Sequence, residues 1–246
     1  MNIKKIFLAV LLSFVFILNG FSQTAEEIVA KYSDAIGGKA QWDSIKTQKI
    51  TGTVKINDMM ELKITSISKK PNFSHVELEV NGMKITQGFD GTIAWMVNPM
   101  MGSDKPIKMN EENTKDIRDR GLIGGQLMNY KSQGSTIELV GTEDMDGKKV
   151  YNIKLTDKEG QVFNYYIDTD TYLLYKIYVK LTRNGNEVTR ETFYSDYRDV
   201  NKVKSAFKSE TEATGDQFDS QSVTIDKIEH NLEVDDNIFK MPTETK

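Results

Sequence analysis

The chain has 246 residues, 38% hydrophobic and 28% charged, with a formal net charge of −4; it can bury a core and suffices for one β-rich domain or two small ones. Cysteine is absent, which excludes disulfides, a thiol nucleophile and cysteine-bound metal. No acidic or basic tract stands out beyond the amino terminus, which argues against nucleic acid as a partner.

The first segment reads as an address rather than as part of a fold. Lys4 and Lys5 precede an apolar run from Ile6 to Leu18, and Gly20 and Ser22 flank Phe21. A basic region, an apolar region and a small-x-small site together predict a secretory signal peptide, residues 1–22, cut before Gln23. The apolar run is short of the roughly 20 residues that span a bilayer, which counts against an uncleaved anchor. Cleavage removes two lysines and no acid, so the formal charge falls from −4 to −6. No cysteine is present at the cut to carry a lipid. The expected mature chain, 23–246, is a single periplasmic domain without a lipid anchor.

Thr24 to Ile36 begins with a threonine N-cap followed three residues later by Glu27, the capping-box pattern. Ile28, Val29, Tyr32 and Ile36 recur at helical spacing and Gly37-Gly38 ends the element, which predicts a helix packed on a sheet. Strand alternation then takes over. Lys46–Asn57 carries Ile50, Val54 and Ile56, with Gly52 as a bulge or close approach. Met60–Lys69, Phe73–Val80 and Met83–Phe89 follow, the last two joined by Asn81-Gly82, the strongest short hairpin signal. Asp90-Gly91 marks a turn before Thr92–Val97, so a meander of four or five strands precedes residue 98.

Residues 98–133 break the pattern with two prolines, several glycines and one helical stretch over Glu111–Arg120. A long insertion of this kind is a lid or a linker. A lid is preferred, because strands of the same character resume at Ile137–Thr142 and Lys149–Thr156. Gln161–Arg183 then carries the strongest strand signal in the chain. Phe163, Tyr165 and Ile167 alternate with Val162, Asn164 and Tyr166; after the Asp168-Thr169-Asp170-Thr171 turn, Leu173, Tyr175, Ile177, Val179 and Leu181 share a face. The second strand would reach roughly 30 Å at about 3.4 Å per residue, so the sheet is large and curved, and its apolar face needs a cover. Glu187–Val200, Val203–Ala213 and Ser222–Leu232 complete the strands, and Ile238-Phe239 is expected to dock as a final apolar pair.

Catalytic residues do not assemble from this pattern. His75 and His230 lie in separate predicted strands. His75, Glu77 and Glu79 would share one strand face, but an exposed polar face looks the same and a third confident ligand type is missing. Asp168 and Asp170 are read as turn residues rather than a glycosidase carboxylate pair. There is no nucleophile elbow or phosphate loop, so no enzyme, no metal and no cofactor is expected. Methionine says more: Met96, Met100, Met101 and Met109 gather beside Trp95 at the start of the insertion, with Met83 and Met128 as further members. They either pack the lid on the sheet or line an adaptable apolar layer beneath it.

Several stretches resemble one known family. The amino-terminal helix, the meander ending near Trp95, the interrupted middle, Val140-Gly141 with Asp146-Gly147-Lys148-Lys149-Val150-Tyr151, Tyr166-Ile167-Asp168 with Leu173-Leu174-Tyr175-Lys176-Ile177, and the closing Ile238-Phe239-Lys240-Met241-Pro242 are similar to the periplasmic lipoprotein-carrier superfamily, LolA/LolB-like. The resemblance implies a mainly β (α+β) fold: an incomplete, strongly curved antiparallel β-barrel covered by an amino-terminal helix and a helical lid. It further implies a monomer whose cavity binds lipoprotein acyl chains or lipid for outer-membrane lipoprotein sorting, with envelope membrane proteins as docking partners. Relatives of that fold act instead as sensors or protein-binding modules. The expected cavity and lid residues are Met83, Trp95, Met96, Met100, Met101, Met109, Ile117, Leu122, Ile123, Met128, Phe163, Tyr165, Tyr175, Ile177 and Val179. One feature departs from the family: its proteobacterial carriers hold the lid with an early-strand arginine. Here the first arginine is Arg118, in the insertion, and the early strands offer lysines such as Lys49 and Lys55.

Overall fold

The computed structural model describes residues 23–57, 60–183, 185–215 and 220–243. The predicted signal peptide, Asn184 and Asp216 of two predicted turns lie outside the described residues. The helix α1 (Ala25–Ala35) has the predicted capping box, with Thr24 Oγ1 accepting from the Glu27 N–H and the Glu27 carboxylate accepting from the Thr24 N–H. A short helix α2 (Lys39–Ser44) follows. Among the described residues the strands are β1 (Thr47–Ile56), β2 (Met60–Lys69), β3 (Phe73–Val80), β4 (Met83–Phe89), β5 (Ala94–Asn98), β6 (Ser103–Lys108), β7 (Thr136–Met145), β8 (Lys148–Thr156), β9 (Val162–Asp168), β10 (Leu174–Arg183), β11 (Asn186–Val200), β12 (Val203–Thr214) and β13 (Ser220–His230).

All thirteen belong to one antiparallel sheet in the order β6-β5-β4-β3-β2-β1-β13-β12-β11-β10-β9-β8-β7. The chain enters at mid-sheet, walks to one edge at β6, crosses to the opposite edge at β7, and walks back until β13 pairs with β1. The edges β6 and β7 do not pair with each other, so the barrel stays open. Residues 109–135, with helices α3 (Glu111–Arg120) and α4 (Gly125–Met128), are the only covalent path between the edges. The connection between the two edges therefore carries both of these helices. Ile50 of β1 and Tyr165 of β9 line one cavity although five strand spacings separate them, about 24 Å on a flat sheet at ~4.8 Å each. Only strong curvature brings them together.

The concave face carries the main core. Ile28 and Tyr32 of α1, Trp42 of α2, and Leu127 and Met128 of α4 pack against Ile153, Leu155, Tyr165, Ile167 and Leu174. A smaller cluster joins Ile117 of α3 to Phe89 and Ala94 of β4 and β5, with Met109 beside it. The predicted bulge at Gly52 is present: the β1–β13 register shifts between Thr51 and Gly52, and a Cβ there would lie 2.3 Å from the Thr224 carbonyl oxygen.

Two features differ from the sequence expectation. Strand β6 lies inside the predicted insertion and pairs with β5 through Trp95 to Lys108 and Met96 to Ile107. Its polar sequence and Pro106 conceal it, and both are tolerated because it is an edge strand with one free side. The other is a bulge in β10. The β9–β10 register shifts between Leu174 and Lys176, so Leu174 and Ile177 share the concave face while Tyr175 and Lys176 turn outward.

Candidate functional site

The space under the lid divides into two chambers. The deep one, about 320 Å³, lies between the sheet and α1, α2 and α4 and is open to solvent, with Ile36, Ile50, Leu174, Ile177, Ile225 and Ile228 among its apolar walls and Gln48, Lys204 and Lys208 among its polar ones. The outer one, about 400 Å³, lies between α3 and strands β9 to β11, walled by Phe163, Val179 and Leu181 and rimmed by Lys115, Asp116, Asp119, Arg120 and Arg190. Both sizes suit a small-molecule site. Gln126, Tyr165 and Tyr194 line both chambers and form the partition between them.

A hydrogen-bonded relay holds that partition. The Tyr165 hydroxyl donates to Gln126 Oε1 at 3.1 Å, and Gln126 Nε2 donates to Asp119 Oδ2 at 2.9 Å. Asp119 in turn sits 3.3 Å from Lys115 Nζ, one helical turn earlier on α3. Lys115 also reaches Asp157 and, at 3.0 Å, Glu159, both in the β8–β9 turn. Arg118 donates to Glu159 at 3.1 Å. This cluster clamps the lid helix to the sheet edge opposite the one its apolar side packs on. Burial alone would raise the Asp157 carboxyl, but the Lys115 ammonium and the Gln161 and Glu159 N–H groups outweigh it and hold it below the usual carboxylate range. Glu159 is likewise held down, against burial, by Lys115 and Arg118. Lys115 is held up by the same partners against its own desolvation.

The fifteen residues singled out from the sequence fall into three groups. Leu122, Phe163, Tyr165, Ile177 and Val179 line the chambers. Ile117, Ile123 and Met128 are buried where lid segments pack, Met109 joins the Ile117 cluster, and Met96 is half-buried with Gln87 Nε2 3.8 Å from its sulfur. The rest lie elsewhere. Trp95 faces away from α3: its indole packs over Gly88 and donates to the Phe239 carbonyl at 2.8 Å, anchoring the carboxy-terminal segment. Tyr175 is turned outward by the β10 bulge; its hydroxyl donates to Asp146 at 2.7 Å and its ring meets Phe193 edge-on. Met83, Met100 and Met101 are exposed, Met101 at 70%.

The chamber residues not singled out from sequence are chiefly Tyr32, Trp42, Gln126, Tyr194, Tyr197 and Ser205. Periodicity marks Tyr32 as buried on α1, but it does not separate a residue facing a void from one facing packed side chains. His75 Nδ1–H donates to the Ile238 carbonyl at 2.8 Å and the ring meets Trp95 at a tilt, so it serves the carboxy-terminal docking. Among the described residues no group of three His, Asp or Glu side chains is placed to hold a metal. No helix among them is long and apolar enough to cross a membrane.

Comparison with known proteins places the fold. No family model matches the chain, and no curated protein matches it either. Solved structures do. A LolA superfamily protein from Nitrosomonas europaea superposes with a TM-score of 0.61 at 14% identity, covering 89% of this chain and 98% of that one. A DUF1329 family protein from Desulfovibrio piger gives a TM-score of 0.60 at 13% identity over 88% and 97%. A putative outer-membrane lipoprotein-sorting protein domain from Vibrio parahaemolyticus gives 0.57 at 12% identity over 87% and 97%. The chain has the LolA-like fold.

Proposed function

We propose that this protein is a carrier of the bacterial envelope that binds acyl chains of a lipoprotein or lipid beneath its lid, and that it acts by binding rather than by catalysis. The observation that carries this reading is the pair of apolar-walled chambers, open to solvent, between a curved, open sheet and the helical segment joined covalently to both of its edges. The lipoprotein-sorting description of the Vibrio parahaemolyticus domain, which shares the fold, supports it. The predicted signal peptide supports a periplasmic site of action. Energetically, each buried methylene contributes about 0.8 kcal/mol, so one long acyl chain could supply on the order of 10 kcal/mol before ordering costs.

Titration with a fluorescent fatty acid tests the reading. Saturable uptake is expected, and Ile177→Trp, which narrows the deep chamber with an apolar ring, should weaken it while leaving the circular dichroism spectrum intact. Absence of saturable uptake by the unsubstituted chain would overturn the proposal. A second reading, docking of a protein partner, is favoured by the exposed Met100, Met101 and Ile107 on and beside the free edge strand β6. A complex formed equally well by lipid-stripped protein would favour that reading over the first.

A further inference from the structure

Four tyrosines gather around the chambers: Tyr32 from α1, Tyr165 from β9, and Tyr194 and Tyr197 from β11, with Tyr165 and Tyr194 at the partition itself. Two of their protons are committed. Tyr165 donates to Gln126, which the Asp119 carboxylate orients, and Tyr197 donates to the Leu174 carbonyl at 2.7 Å. No hydrogen bond commits the hydroxyls of Tyr32 and Tyr194 among the described residues, and neither is a fully buried unpaired atom, so both stay accessible from the chamber they line. Tyr32 is only 8% exposed. Burial, with each other's proximity, keeps the Tyr32 phenol protonated far above neutrality, and burial pushes Tyr194 up to about 12. Both are therefore permanent donors at any physiological pH. A third hydroxyl, Ser205 Oγ, is buried without a partner and lies in the wall of the same deep chamber.

We propose that the partition is an acceptor-binding subsite, at which Tyr32 and Tyr194 donate hydrogen bonds to the carbonyl at the head of an acyl chain whose tail lies in the deep chamber. The inference rests on the acyl-chain reading above and narrows it, from any apolar ligand to one bearing an ester, amide or carboxylate acceptor. The placement is consistent with the polarity on either side. The deep chamber carries the isoleucines, with Lys204 and Lys208 at its polar side, and the outer chamber carries Lys115, Asp119 and Arg120, the larger cluster of charge, where a polar head group is solvated. Ser205 supplies a further donor within the deep chamber. A protonated phenol always has a proton to donate, so a chain with no acceptor gains nothing from these two hydroxyls.

The test displaces the apolar dye N-phenyl-1-naphthylamine from the full chain with hexadecanoate, methyl hexadecanoate or hexadecane. Either acyl compound should compete at least about tenfold better than the alkane, and the ester-to-acid ratio reports whether the subsite prefers a neutral carbonyl or a carboxylate. The Tyr32→Phe/Tyr194→Phe double variant should lose about tenfold in acyl affinity, the worth of two hydrogen bonds, while its dye affinity stays within twofold. Equal competition by hexadecane, or an acyl affinity that the double variant leaves unchanged, would overturn the subsite while leaving the acyl-chain reading standing. Failure of the unsubstituted chain to bind dye, acyl compounds and alkane would overturn both. Should the double variant not fold, Tyr194→Phe alone and the ranking of the three compounds on the unsubstituted chain decide the matter.

Discussion

Lys115 is the residue that ties α3 to the β8–β9 turn. Its ammonium is within reach of Asp119, Asp157 and Glu159, and the Asp157 side chain is only 9% exposed, so this contact is screened far less than a surface pair. Asp157→Asn keeps an oxygen for the Glu159 and Gln161 N–H groups and removes the charge alone. It should lower stability by about 1–2 kcal/mol, between the exposed and buried limits, and speed dye uptake by up to about tenfold if the contact breaks before the lid opens. Thermal melting and stopped-flow uptake read the two effects; an unchanged uptake rate would remove Asp157 from the latch. The sign of the pH dependence follows from the same contacts. Asp157 and Glu159 are depressed in the folded protein, so their contribution is present above the ordinary carboxylate range and is lost as pH falls through their lowered values. Uptake should therefore accelerate below about pH 4, and Asp157→Asn should flatten that acid limb. Exposure of Glu159 makes its share the smaller one.

At the scale of elements, close approach and register decide where side chains point. A Cβ on Gly52 would strike the Thr224 carbonyl at 2.3 Å, and backbone cannot move aside as a side-chain tip can. Gly52→Ala should cost about 1–3 kcal/mol by denaturant titration, and an unshifted midpoint would show that the bulge absorbs the methyl. Trp95→Phe should likewise weaken docking of the segment around Phe239, because the Phe239 carbonyl loses its donor; faster proteolysis near residue 239 is the readout. Most elements were legible in the sequence because turn chemistry brackets them. The capping box at Thr24, the Asn81-Gly82 hairpin and the helix over Glu111–Arg120 all stand where the residues predict. The misplaced side chains have physical reasons. Tyr175 fits a period of two with Ile177, but the extra residue of the β10 bulge turns it outward, and a bulge leaves no mark in the alternation. Trp95 neighbours the methionines in sequence, yet alternation on β5 sends Ala94 toward α3 and Trp95 toward Phe239. Tyr32 was legible as buried and not as cavity-lining, and nothing in the sequence singled out Tyr194, because periodicity reports a face and not what fills the space before it.

Over the whole molecule, the connectivity carries the functional argument. A sheet grown outward from β1 and inward from β7 leaves its two edges unpaired, and the segment that must join them crosses the opening. The lid's apolar side, through Ile117, rests on β4 and β5, while its charged side, through Lys115 and Arg118, is clamped to the β8–β9 turn. Releasing the charged clamp while the apolar contact holds would swing α3 from one side only, opening the outer chamber first. The Lys115 and Arg118 cluster and the Tyr165–Gln126–Asp119 relay would then form the latch. The most direct test of acyl-chain binding is native mass spectrometry of the protein expressed as its full chain and recovered from a bacterial periplasm, followed by solvent extraction of what it holds. The account predicts a mass excess that extracts as phospholipid or acylated peptide. A bare polypeptide mass, from protein that also fails to take up a fluorescent fatty acid, would contradict it.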